Sequence, residues 1–191
     1  MKKGRLEAFS DGVIAIIITI MVLELHIPEE AELAALRPIL PTFFSYALSF
    51  VFVGIYWNNH HHLFQASEDV DGRVLWANLH LLFWLSLIPF ITGWLGKSNF
   101  APGPVALYGF ILLLSAVAYF FLTQSLLALH GPDSLLAKAL GQDFKGKLSV
   151  ILYILGVFMA FVNVWAANGL YILVAIIWLV PDRRIEKIIR S

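Results

Sequence analysis

The chain has 191 residues, 60% of them hydrophobic and 14% charged, with a mean hydropathy of +0.81, a formal net charge of zero and no cysteine. So apolar a composition makes a bilayer the expected solvent. The balanced, scattered charge offers no basic face to nucleic acid, and the missing thiols exclude disulfides, thiolate catalysis and Cys-ligated metal.

A hydrocarbon core of about 30 Å takes about 20 apolar helical residues per crossing, so six crossings would use about 120 residues and leave short loops, with no room for a separate soluble catalytic domain. The first apolar run, residues 6–26, follows the basic start Met1-Lys2-Lys3-Gly4-Arg5. Ser10 and Asp11 interrupt it and no small-x-small cleavage site follows, so a membrane helix is expected rather than a secretory signal. Runs over 39–59, 74–95 and 105–129 are each close to one crossing. From 148 to 180 the chain is apolar for 33 residues, too long for one crossing and short for two. Asn163, Asn168 and Gly169 lie within it and predict a tight helical hairpin, which makes six spans. The basic residues agree: Lys2, Lys3, Arg5, Arg73, Lys138, Lys145, Lys147, Arg183, Arg184, Lys187 and Arg190 fall on one side of this layout and only Arg37 and Lys97 on the other. By the positive-inside rule both termini and the 60–73 and 130–147 loops are expected in the cytoplasm. No internal repeat is evident, so residues 1–191 are read as a single all-α domain of six transmembrane helices.

Polar side chains within a span are costly and mark candidate functional sites. In the first span they are Arg5, Ser10, Asp11 and Thr19; at the end of the second, Asn58, Asn59, His60, His61 and His62; near the start of the third, Asn78 and His80. Asp11 needs a partner, and Arg5, His60, His61, Asn78 and His80 could each supply one. A metal bound by His60–His62 is disfavoured, since consecutive helical residues diverge by about 100° and no carboxylate ligand accompanies them. Trp57, Trp76, Trp94 and Trp178 read as interfacial anchors, with Trp84 and Trp165 placed deeper.

On a helical wheel of the first span, Ile20, Leu23 and Ile27 fall within about 40° of Ile16, Thr19 flanks them at about 60° from Ile16, and Asp11 points about 140° away. Asp11 is therefore expected to join a polar network behind the stripe. Gly12 lies on the stripe one turn before Ile16. Arg5 projects near it too, which conflicts with pairing to Asp11 unless the helix start is frayed. Such a stripe is ordinarily lipid or helix contact, and the pattern alone does not decide otherwise.

Arg5-Leu6-Glu7-Ala8-Phe9-Ser10-Asp11 matches the R-x-x-x-F-S-D signature of the transmembrane protein 175 family, and the Tyr56-Trp57-Asn58-Asn59-His60-His61 and Asn78-Leu79-His80 stretches are similar to its bacterial branch. That resemblance implies a homotetrameric cation channel of the bacterial inner membrane, needing no cofactor, permeable to potassium and modestly selective over sodium. It implies that four first spans line the pore, with Ile16 as the hydrophobic constriction, Ile20 and Leu23 as further layers and Thr19 supplying hydroxyls. Arg5, Phe9, Ser10 and Asp11 carry the motif. Such a neck gates by dewetting, and opening must widen or rotate the first spans. Two other readings remain: a proton-coupled secondary transporter using Asp11 with His60 or His80, for which broken helices and repeat symmetry would be expected, and an intramembrane enzyme using the same groups.

Overall fold

The computed structural model describes residues 2–140 and 143–179. In chain order these form α1 (Gly4–Leu23), a 3-10 helix (Leu33–Ile39), α2 (Leu40–Gln65), α3 (Gly72–Ser86), α4 (Ile88–Lys97), α5 (Pro102–His130), α6 (Leu135–Leu140), α7 (Phe144–Met159) and α8 (Val164–Leu179). The described residues are thus all-helical. Among them, four stretches are long and apolar enough to cross a bilayer: Gly4–Leu23, Leu33–Gln65, Gly72–Lys97 and Pro102–His130. The basic tail residues Arg183, Arg184, Lys187 and Arg190 lie outside the described residues.

Two sequence expectations change. The third run is not one helix but two, separated at Leu87, because Pro89 has no amide hydrogen to bond the Leu85 carbonyl and its ring crowds that turn. The hairpin does form, but over residues 160–163. Asn163 caps α8 through its Oδ1, which accepts from the amides of Trp165 at 3.0 Å and Ala166 at 3.1 Å. Asn168 and Gly169, expected in the turn, lie inside α8.

Lipid tails are as apolar as leucine, so membrane helices associate through close packing and internal hydrogen bonds. α1 rests on α2, α3 and α4, while α5 joins α3 to the α7–α8 hairpin. Gly96 of α4 lies so close to α2 that a Cβ there would collide with the Thr42 backbone. On the far side, Tyr171 of α8 enters a notch between Gly109 of α5 and Gly156 of α7, where a Cβ on either glycine would strike its ring or hydroxyl. Between these notches runs a buried polar chain. Ser45 Oγ donates to the Thr92 carbonyl at 3.0 Å, Thr92 Oγ1 to Ser49 Oγ at 2.7 Å, and Ser49 shares a 3.0 Å bond with the Tyr108 hydroxyl.

The two ends of the bundle are tied differently. At one, Lys3 Nζ donates to the Phe64 and Ser67 carbonyls, placing a cation at the negative end of α2. His130 closes the same end: its Nδ1–H donates to the Leu126 carbonyl at 2.9 Å, and Nε2 accepts from the amides of Glu68 at 3.1 Å and Asp69 at 3.3 Å. At the opposite end Lys97 pairs with Glu24 at 2.9 Å, as the division of basic residues requires of Lys97.

Candidate functional site

α1 has two unlike faces. Leu6, Ser10, Ile14, Ile17 and Met21 recur at helical spacing and are buried against the neighbouring helices. The opposite face carries Phe9, Gly12, Ile16, Thr19, Ile20 and Leu23, all exposed. Ile16 is 57%, Ile20 45% and Leu23 76% exposed, so none of the described helices of the same chain covers the stripe. Gly12 adds open space, since a Cβ there would meet nothing. Thr19 Oγ1 donates back to the carbonyls of Ala15 at 3.1 Å and Ile16 at 3.0 Å. A hydroxyl has one hydrogen and two lone pairs, so this bond uses the hydrogen and leaves the oxygen able to coordinate.

Behind the stripe lies a polar network, but Asp11 is not in it. His60 Nε2–H donates to Asn78 Oδ1 at 2.8 Å, Asn78 Nδ2 donates to Ser10 Oγ at 2.9 Å, and Ser10 Oγ donates to the Leu6 carbonyl at 2.8 Å. All three side chains are at most 2% exposed. Each donor finds an acceptor in a single direction from α2 through α3 to α1, as burial in a bilayer demands. Asn78→Leu would remove the middle member and leave the buried His60 N–H without an acceptor, at a cost of about 1–3 kcal/mol; a lower melting temperature in detergent is the expected result, and wild-type melting would mean that the network adds nothing to stability.

Asp11 is exposed, and its Oδ1 accepts from Trp57 Nε1 at 3.1 Å. The expected partners are therefore corrected. Ser10, one residue earlier and about 100° round the helix, takes the buried position and with it Asn78 and His60. His61 stacks beside Trp57 at 6.0 Å and bonds Gln65 at 2.8 Å, while His80 Nε2 accepts from Trp84 Nε1 at 2.9 Å. Arg5 is exposed and does not pair with Asp11. No hydrogen-bonded relay runs from Asp11 to His60 or His80 among the described residues, and the three consecutive imidazoles diverge as helix geometry requires. Trp57, read from sequence only as an anchor, is the residue that was missed. Its indole N–H at the depth of an unpaired carboxylate was the available signal.

Comparison with known proteins follows the same lines. The family model of the endosomal/lysosomal potassium channel TMEM175 matches residues 5–89. A protein named potassium channel from Chryseobacterium sp. is 57% identical over 191 residues, 100% of both chains. A crystal structure of a lysosomal potassium-selective channel TMEM175 homolog from Chamaesiphon minutus superposes with a TM-score of 0.77 at 28% identity, covering 94% of this chain and 97% of that one. The human endosomal/lysosomal proton channel TMEM175 is 38% identical over 76 residues, 34% of this chain and 15% of that protein.

Proposed function

This chain belongs to the TMEM175 family, whose members are channels rather than enzymes, and we propose that it is a potassium-permeable cation channel of the bacterial cell membrane whose pore is lined by α1. The observation that carries the reading is the uncovered stripe of Ile16, Thr19, Ile20 and Leu23 on a helix whose other face is fully packed. Four copies turned so that their stripes meet would cover it and leave a narrow apolar neck at Ile16. An ion entering such a neck loses water and finds nothing to replace it, so the closed state needs no plug.

In this reading α7 and α8 are the fifth and sixth crossings. Each has 16 helical residues, about 24 Å of helix, short for a core of about 30 Å but within what local thinning accommodates. Both termini then lie in the cytoplasm, with the Lys3 and His130 end of the bundle. The test is a planar-bilayer recording of the purified chain under a potassium/sodium gradient. Unitary currents reversing toward the potassium equilibrium potential are expected; saturable proton-coupled flux without unitary events would replace the channel with a transporter.

Selectivity is assigned to Thr19, the one side chain between Gly12 and Glu24 that offers an oxygen to a partly dehydrated ion. Thr19→Val keeps the shape and deletes the hydroxyl. Reversal potentials with potassium on one side and sodium on the other should move toward zero, with assembly intact. An unchanged ratio would confine that hydroxyl to its bonds with Ala15 and Ile16.

A further inference from the structure

A cavity of 460 Å³ lies between α2, α5 and the start of α7, away from the stripe on α1, and Phe52, Ile55, Val117 and Val150 are among its lining residues. Its volume falls in the range of about 300–1,000 Å³ typical of small-molecule sites. The interior is apolar, but Tyr56 and Tyr153, 9% and 3% exposed, also line it. Tyr108, Tyr119 and Tyr171 each hydrogen-bond within the protein, to Ser49, to the Asn59 carbonyl and to the Val105 carbonyl. No such bond joins the hydroxyl of Tyr56 or of Tyr153 to another described residue, and neither hydroxyl is among the fully enclosed unpaired atoms, so both open onto the cavity. Buried phenols are nearly always bonded, so these two call for an acceptor that enters the cavity. Water alone fits poorly, because a site needs several polar partners to hold it and these walls are mostly apolar.

The rim supplies the rest of the chemistry. Lys147 is exposed at the cavity edge, beside Asp143, whose Oδ1 is occupied by the Gly146 amide at 2.8 Å. Lys145 stands 6.0 Å from the Trp178 ring, on the same margin. A second groove, sharing Ile55 and Trp178 with the cavity, continues it along α2 and α8. An occupant therefore needs a long apolar body, hydrogen-bond acceptors near one end and a negative group beyond them.

We propose that the cavity is a site for an anionic phospholipid: one acyl chain fills the cleft, its ester oxygens accept from the Tyr56 and Tyr153 hydroxyls, and its phosphate pairs with Lys147. Such a lipid wedges α2 to the α7–α8 hairpin where the described side chains leave a gap.

The test adds phosphatidylglycerol to the delipidated full-length protein and counts retained lipid by native mass spectrometry, which also reports assembly. The wild type should hold one phosphatidylglycerol per subunit. Ala116→Phe, which fills the cavity from α5, should weaken retention about tenfold, and Lys147→Gln about fivefold, the effect of one basic residue at an anionic headgroup. If Ala116→Phe fails to assemble, Lys147→Gln on the exposed rim decides alone. Equal retention by wild type and variants overturns the proposal. So does no retention by the wild type, whether residues 180–191 or a second subunit fills the cleft instead. The assay reads no current, so its failure is separate from failure of the channel reading.

Discussion

Channels carrying Ile16→Asn are expected to conduct under conditions that hold the wild type closed, with basal current raised about tenfold or more. The proposed barrier at Ile16 is the cost of stripping water from an ion among side chains that offer no dipole in return, and each 1.4 kcal/mol removed from such a barrier is worth about tenfold in rate. Asn is close to Ile in reach but brings a carbonyl oxygen and an amide, enough to hold water in the neck. Because Ile16 is 57% exposed within its own subunit, the change disturbs no intrasubunit core. Leu23, nearer the end of α1, should respond in the same direction and less strongly. Single-channel recording at fixed voltage provides the comparison. Wild-type currents from an assembled Ile16→Asn channel would remove Ile16 from the gate and leave the stripe as a lipid or helix contact.

The largest loss of stability is expected at Gly96→Val. Here the obstacle is backbone: the Cβ would fall on the Thr42 Cα, with Thr42 Oγ1 and Ser45 Oγ close behind. Main chain cannot rotate aside, so α4 and α2 must separate, and the bond from Ser45 to the Thr92 carbonyl is lost as they do. Overpacking of this kind costs about 3 kcal/mol. Gly54→Val on α2 is the matched control, since a Cβ at Gly54 meets nothing within 4 Å. Thermal unfolding in detergent should show a large fall for Gly96→Val and little change for Gly54→Val. Equal melting temperatures would mean that the α2–α4 contact is not a tight one.

The layout of helices was largely legible because hydropathy and length act on contiguous residues. Thr19 and Ile16 could be placed on one face by arithmetic alone, and Asn163 marked its turn by being polar in an apolar run. What failed depends on distant pairs. Ser10 and Asp11 are adjacent and both polar, and the partner that draws Ser10 inward, Asn78, lies 68 residues away. A rotation of one residue decides which of them faces inward. Trp57 reaches Asp11 across 46 residues, and Gly109 and Gly156 acquire meaning only once Tyr171 is seen between them. The cleft lined by Tyr56 and Tyr153 had no trace in the sequence, because a gap is made by what fails to meet.

α1 is fastened to its own subunit along its whole length: by Lys3 at the end of α2, by Ser10 to Asn78 at mid-depth, and by Glu24 to Lys97 at the far end. A helix held at three heights has no private hinge. Turning it alone would take the Ser10 acceptor from the Asn78 amide and strip the counter-charge from Lys97, so any torque on α1 is passed to α2, α3 and α4. The moving part in the proposed channel is then the whole subunit, and the aperture would behave as the iris of a lens does, each blade swinging rigidly and the opening at Ile16 set by the angle they share.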